Sequence, residues 1–313
     1  MNTIAEAAAA LTAHDRILLL THLRPDGDSL CSAAALCSAL RRMGKTAALF
    51  PNPEITDTYA GMVAAYLAPP AAAWDYIVSV DVAGPEMLPL GFSGAVDLCI
   101  DHHPSNPGFA ALTVLGPDKA SCGEVVLALV ERLCPPLTPE EANLLYAAVS
   151  TDSGCFRYGN TTAETLRAAA HLIDCGADSH RLNKELFLSS SPARLRLEGM
   201  IYSDIHSYRN NQINFAVVTL QMMREAGTVE DDCEDLASLP GRIRGGVVNI
   251  TIRELEENRC KASVRTNELV DASVVCRKLG GGGHKMAAGC TLSVSPAEME
   301  RLLLAAVDEV WPA

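Results

Sequence analysis

The sequence predicts an α/β fold in two parts: a mostly parallel, doubly wound N-terminal sheet domain, a helical connector, and a smaller α/β C-terminal domain. Three observations carry this. Short, continuously apolar runs recur through the first half with helical stretches between them, as buried parallel strands joined by crossovers require. From Ile213 onward the strand-like runs instead alternate apolar and polar residues, as half-buried strands do. The length, 313 residues, accommodates two domains of ordinary size. The expected boundaries are 1–180 for the first domain, 181–209 for the connector and 210–313 for the second.

Met1–Ala13 has no Lys or Arg ahead of its alanine run, so it reads as a first helix and not as a signal peptide. Ile17–Thr21 is a strand buried on both faces. A helix follows from about Ser29 to Met43 and stops at Gly44, which suits the left-handed position after a helix. Ala47–Phe50 is a second strand, ended by Pro51, and Tyr76–Val80 and Val96–Ile100 are two more. The alanine-rich stretch Thr58–Trp74 is the nearest approach to a membrane span. Pro69-Pro70 breaks it, and no run reaches the roughly 18–20 apolar residues that spanning needs. Ser121 with Glu124 opens a helix to about Leu133, Pro139 starts another to about Ser150, and Thr161 with Glu164 caps a third ending near Gly176. Ser179–Tyr208 is polar and helical, with Pro192 as a break. Ile213–Leu220, Gly246–Arg253 and Cys260–Arg265 are strands of the second domain, and helices at about Val270–Leu279 and Pro296–Val310 complete it.

With 49% hydrophobic and 20% charged residues, the chain can build a core and is not globally disordered. A net charge of −13 excludes a broad basic face for long duplex nucleic acid. The charge is uneven. Arg242–Gly289 holds nine Lys/Arg against five Asp/Glu, a net of +4, which leaves −17 on the rest. The C-terminal part is thus suited to face an anion, and the N-terminal part to collect carboxylates. The eleven cysteines form no C-x-x-C pair, and several lie in apolar helical runs, as reduced thiols of a cytoplasmic protein do. No membrane partner is expected.

Acids and imidazoles gather where apolar runs end. Ile17–Thr21 leads to His22, Asp26 and Asp28; Tyr76–Val80 to Asp81; Val96–Ile100 to Asp101, His102 and His103; the helix through Ser150 to Asp152. In parallel sheets ligands bind just outside the carboxyl ends of the strands, so these side chains converge on one edge. Singly, each has an ordinary explanation: Asp26-Gly27-Asp28 as a capped turn, His102-His103 as a loop pair, Asp152 as an Asx turn. Jointly they repel, by several kcal/mol per close pair at an effective dielectric of about 20, unless protonated or neutralised by a cation. Carboxylates mixed with imidazoles suit a divalent ion such as Mn(II) better than a thiolate zinc site. The donors exceed what one octahedral ion needs, so two ions sharing a bridging aspartate are expected, an arrangement typical of phosphoester hydrolysis.

The motifs THLRPDGDS (Thr21–Ser29), SVDVAG (Ser79–Gly84), DHHPSN (Asp101–Asn106), STDSGCFRYGNTT (Ser150–Thr162), ASVRTN (Ala262–Asn267) and GGGGHKMAAG (Gly280–Gly289) span nearly the whole chain. Together they resemble the DHH phosphoesterases, and within them the branch of bifunctional oligoribonucleases and pAp phosphatases, or nanoRNases. The resemblance implies that His22, Asp26 and Asp81 hold one metal, and that Asp28, Asp81, His102 and Asp152 hold a second. It further implies that Asp101 orients an imidazole, and that His103 faces the substrate as phosphate contact or proton donor. No expected ligand is missing.

Gly280–Gly283 lets backbone N–H groups approach an anion, with His284 and Lys285 directly after it and Arg265 on a nearby strand. Gly281, Gly282, Gly283, His284 and Arg265 are therefore the expected clamp for a substrate phosphate, with Arg24 and Arg157 adding charge from within the metal motifs. The implied substrates are very short single-stranded RNA, giving nucleoside 5′-monophosphates, and pAp, giving AMP. A phosphodiesterase for cyclic dinucleotides or pApA is the nearest alternative, and a nucleotide-binding regulator without turnover is the alternative of another class. The glycine loop argues against a pyrophosphatase of the same family. A monomer and a homodimer are both compatible with the sequence.

Overall fold

The computed structural model describes residues 1–69, 72–229, 231–233 and 236–312. Pro70, half of the expected Pro69-Pro70 break, lies outside them. The chain forms two compact units, Met1–Ser189 and Ser190–Ala313.

The first unit holds α1 (Ile4–Ala13), β1 (Ile17–Leu20), α2 (Gly27–Arg42), β2 (Ala47–Leu49), α3 (Asp57–Val63), β3 (Tyr76–Val80), β4 (Leu98–Asp101), β5 (Leu112–Leu115), α4 (Cys122–Leu133), α5 (Pro139–Asp152), α6 (Ala163–Asp174) and α7 (Ser179–Asn183). Its five strands are all parallel, in the order β2-β1-β3-β4-β5. This is a doubly wound order whose topological switch point falls between β1 and β3, so a ligand crevice is expected beyond those two strand ends. The larger core packs α1, α2, α4 and α5 on one sheet face, and a smaller cluster around Leu18, Leu20 and Val96 lies on the other.

Helix α2 is buried on nearly every side, which its run of Ala33, Ala34, Ala35, Cys31 and Cys37 permits. Two glycines set how closely its neighbours approach. A Cβ on Gly27 would lie 2.6 Å from Thr151 Cγ2 of α5, and one on Gly123 of α4 would lie 2.8 Å from Ala148 Cβ. Bare glycines there let α2, α4 and α5 meet at their site-bearing ends.

The second unit holds α8 (Pro192–Ser203), β6 (His206–Tyr208), β7 (Ile213–Val218), α9 (Leu220–Ala226), β8 (Val248–Glu256), β9 (Arg259–Thr266), α10 (Ala272–Arg277), β10 (Gly282–His284), β11 (Ala287–Leu292) and α11 (Pro296–Val310). Its mixed sheet runs β10-β11-β9-β8-β7-β6, with only β7 and β8 parallel. One face packs on α10 and α11 through residues such as Val248, Ile250, Val264 and Leu303.

Several expected elements change at their edges for identifiable reasons. The strand from Ile213 stops at Val218 because the Thr219 side chain accepts from Met222 N and starts α9. Thr162 with Thr165, not Thr161 with Glu164, makes the cap of α6. Strands β5, β6, β10 and β11 have no counterpart in the expected set. The Gly280–Gly283 stretch is not an open loop. Gly280 N–H donates to Arg277 O at 3.1 Å and Gly281 N–H to Cys276 O at 2.8 Å, and Gly282–His284 pairs antiparallel with Ala287–Gly289. The N–H groups of Gly280 and Gly281 are thus spent on carbonyls at the end of α10 and are not open to an anion. All eleven cysteines are free thiols. Among the described residues, no helix is long and apolar enough to cross a membrane.

Candidate metal centre

The site lies at the carboxyl ends of β1, β3 and β4. Asp81 follows β3 with φ +60, a left-handed conformation uncommon outside glycine, and its N–H is held by Ile100 O at 2.9 Å. This turn aims the buried carboxylate across the switch point. Its Oδ1 lies 3.5 Å from His102 Nε2 and 3.6 Å from His103 Nδ1, and its Oδ2 lies 3.8 Å from His22 Nε2. Asp26 caps α2 and stands 3.5 Å from His22 Nε2.

Asp28, in the first turn of α2, is held by three donors. It accepts from Cys122 N at 2.6 Å, Gly123 N at 2.8 Å and Ser32 Oγ at 3.0 Å. The first two are backbone donors at the start of α4, where the helix dipole favours an anion. Asp152, the last residue of α5, puts Oδ2 3.4 Å from His102 Nε2. His102 Nδ1 is 3.2 Å from Lys119 O. A carbonyl can only accept, so Nδ1 carries the proton and Nε2 offers its lone pair to the cluster.

Donor atoms of three groups lie mutually within 4.8 Å: His22, Asp26 and Asp81; Asp28, His102 and Asp152; Asp81, His102 and His103. Burial, then neighbouring carboxylates, raise Asp28 and Asp81 well above the usual carboxylate range, and burial likewise raises Asp152. Asp81 Oδ1 is buried with no hydrogen-bond donor. An orphaned carboxylate oxygen, mutually repelling acids and an imidazole lone pair are what a divalent cation would satisfy. The residues fit one.

Asp101 is fully buried and accepts from His103 Nδ1 at 2.8 Å and Asn106 Nδ2 at 2.7 Å. The imidazole it orients is therefore His103 and not His102. The hydrogen bond to Asp101 raises His103 above its ordinary value. Arg24 and Arg157 are engaged locally: Arg24 Nε lies 3.6 Å from Glu54 Oε1, and Arg157 Nε donates to Gly154 O at 2.6 Å. In the second unit, Arg265, Ala287 and His284 stand in one cross-strand row, with Gly281–Gly283 leading into it.

A family model described as "DHH family, N-terminal domain" matches residues 16–149, and the DHHA1 domain model matches 212–311. The chain is also 33% identical to the bifunctional oligoribonuclease and PAP phosphatase NrnA of Thermus thermophilus, over 100% of this chain and 95% of that one. The chain belongs to the DHH phosphoesterase family. The Bacillus subtilis protein of the same name is 25% identical over 95% of this chain and 96% of its own. A solved DHH-like fold, an exopolyphosphatase-related protein from Bacteroides fragilis, superposes with a TM-score of 0.88 at 21% identity, covering 98% of this chain and 95% of that one.

Supporting groups of this DHH centre escaped sequence reasoning. Ser29 Oγ binds both His22 N and Val80 O, so it ties the ends of β1 and β3 together. Asn106 reaches Asp101 and Val82 O. Asn160 Nδ2 bridges Ala120 O and Asp152 O. Ser29, Asn106 and Asn160 do lie inside the quoted motifs. Their positions signalled something, but their partners, far away in sequence, are visible only in the fold.

Proposed function

We propose that this protein hydrolyses very short RNA to nucleoside 5′-monophosphates and pAp (3′-phosphoadenosine 5′-phosphate) to AMP, using two divalent ions. The observation that supports this most is a full His/Asp cluster at the switch point of a chain resembling, end to end, proteins named for both activities. His22, Asp26 and Asp81 would hold one ion, and Asp28, Asp81, His102 and Asp152 the other, with Mn(II) favoured by the mixed oxygen and nitrogen donors. Bound there, the ions would supply an activated water at neutral pH and charge to stabilise the phosphoryl oxygens.

The chain's own side chains do the positioning. Backbone N–H groups of α4 fix Asp28, and Lys119 O fixes the tautomer of His102. Asp101 holds Nδ1 of His103 and favours its cationic form, which leaves Nε2 to give a proton to the departing sugar oxygen. Arg265 and His284 would grip a substrate phosphate, with Gly281–Gly283 leaving room for its close approach, while Arg24 and Arg157 would add positive charge within the first unit.

Arg265→Ala and His284→Ala should each raise KM about tenfold to hundredfold, the worth of a charge-assisted phosphate contact, while metal content stays at the wild-type level. Loss of metal from either variant with unchanged KM would remove both from the substrate grip.

The deciding experiment is turnover of pAp, pApA, a five-nucleotide RNA and a 24-mer with Mn(II), before and after EDTA. Release of AMP and mononucleotides that EDTA abolishes supports the reading. Faster turnover of pApA than of pAp and RNA makes it a dinucleotide phosphodiesterase. A chain of charge −13 offers no long basic track, so short RNA should outrun the 24-mer, and affinity should fall with salt at a log–log slope of only about −1 to −2. Equal rates on the five-nucleotide RNA and the 24-mer would instead indicate a single-strand exonuclease.

A further inference from the structure

The second unit carries an amide beside the expected phosphate grip whose donors are unspent. Strand register places Ser207, Asn214, Asn249, Arg265, Ala287 and His284 in a single row across all six strands. Residues paired across strands share a face. This row therefore looks away from the core formed by Val248, Ile250 and Val264. Asn214 is fully buried and Asn249 is 9% exposed.

One backbone carbonyl fixes the direction of both amides. Asn211 O can only accept, so the Asn214 atom 2.9 Å from it is Nδ2. The other proton of that nitrogen goes to Asn249 Oδ1 at 3.0 Å, and Asn214 Oδ1 accepts from Ser207 Oγ at 2.8 Å. Asn249 must then turn Nδ2 away from Asn214, and the strand register puts Arg265 next to Asn249 on its other side. Among the described residues, that nitrogen donates to no group.

Gly246 holds the pair from above. A Cβ there would lie 2.5 Å from Asn249 Oδ1 and 3.0 Å from Asn214 Nδ2. Next in the row, the Arg265 guanidinium hydrogen-bonds, among the described residues, only to Val264 O, at 3.3 Å. A nearly buried amide with two free protons beside an arginine presents donors and no acceptor. The edge of a nucleobase offers both kinds of group, whereas an oxyanion offers acceptors alone, so the ligand matching this set is a phosphate.

We propose that Asn249 is a further phosphate-binding residue, its Nδ2 donating to the phosphate held by Arg265 and His284, with Asn214 as the positioning residue that sets its direction. This rests on the reading of Arg265 and His284 as a substrate grip.

The test is steady-state kinetics on pAp and on base-free ribose 3′,5′-bisphosphate. Asn249→Ala should raise KM about tenfold with kcat within about twofold, the loss of one hydrogen bond to a charged group. Asn249→Asp, which sets a carboxylate against the phosphate, should raise it about a hundredfold. Asn214→Ala should raise KM by about threefold, through misdirection of Asn249. Asn249→Thr suits a strand and keeps the test readable should the alanine variant not fold; it too should raise KM. The rises should be equal on both substrates. Unchanged KM in all Asn249 variants, alongside a raised KM in Arg265→Ala, overturns the role of Asn249 and leaves the grip standing. Unchanged KM in Arg265→Ala overturns the grip itself. A rise confined to pAp assigns Asn249 to the base and overturns the phosphate assignment.

Discussion

Asp81→Asn is expected to lose activity by about a thousandfold or more, corresponding to roughly 4 kcal/mol of transition-state stabilisation, and to lower metal content at both sites. Asp81 is the carboxylate shared by two of the three His/Asp groups. Asparagine is the replacement of choice because it tolerates the left-handed backbone at φ +60. The fold should then survive while the charge is lost. Metal-free stability should move the other way. Burial and the neighbouring Asp28 raise Asp81 above the usual carboxylate range, so the folded state binds protons that the unfolded chain does not. Metal-free wild type should therefore gain stability as pH falls from neutral toward the unfolded carboxylate value of about 4, and the variant should show a flatter profile. Saturating metal should restore the wild type, by about 2.7 kcal/mol at a hundredfold excess over Kd, and the variant much less. Metal analysis and thermal melts at several pH values, with and without Mn(II), check this. Full activity with normal metal occupancy would remove Asp81 from the centre.

Most of the centre was legible because its residues follow strand ends, and a strand end is a local signal. Asp81 stands directly after Tyr76–Val80, and Asp101, His102 and His103 follow the apolar run Val96–Ile100, with Asp101 itself the last residue of β4. Once those runs are read as parallel strands, their ends share an edge, and the residues after them must meet. Asp101 shows where that logic stops. Its position followed from the run, but its partner did not, since pairing with His103 rather than His102 depends on side-chain direction within a loop.

The second unit was less legible for a physical reason. Its glycines were read for backbone freedom, as though they lined an open loop. In the fold Gly281 serves close packing, because the space its Cβ would need is taken by Gly289 O and by Cys290 Cβ, whereas Gly280, at φ +74 with open space around it, does use backbone freedom. Freedom and crowding both select glycine, and a single sequence cannot separate them. The row from Ser207 to His284 was invisible for a similar reason, because it depends on the register of six strands, two of them too short to show a period.

Gly283→Ala is expected to raise KM about a hundredfold while leaving the metal content of the first unit untouched. Gly283 has φ +141, a region that costs other residues about 1–3 kcal/mol. A Cβ there would also lie 2.6 Å from Ala288 Cα and 2.7 Å from Ala287 O. Both atoms belong to the backbone of β11, which is pinned on its other side by β9, so neither can yield as a flexible side chain would. The overlap is relieved by opening the β10–β11 hairpin, and that displaces His284, the next residue, from its pairing with Ala287. The His/Asp cluster belongs to the other compact unit and draws no ligand from this hairpin. Gly199→Ala in α8 is the control, because its Cβ would meet nothing within 4 Å and alanine favours a helix interior. Kinetics and metal analysis on the two variants separate the outcomes. A Gly283→Ala enzyme with wild-type KM would show that hairpin closure does not set the position of His284, and the phosphate grip would then have to be sought outside β10.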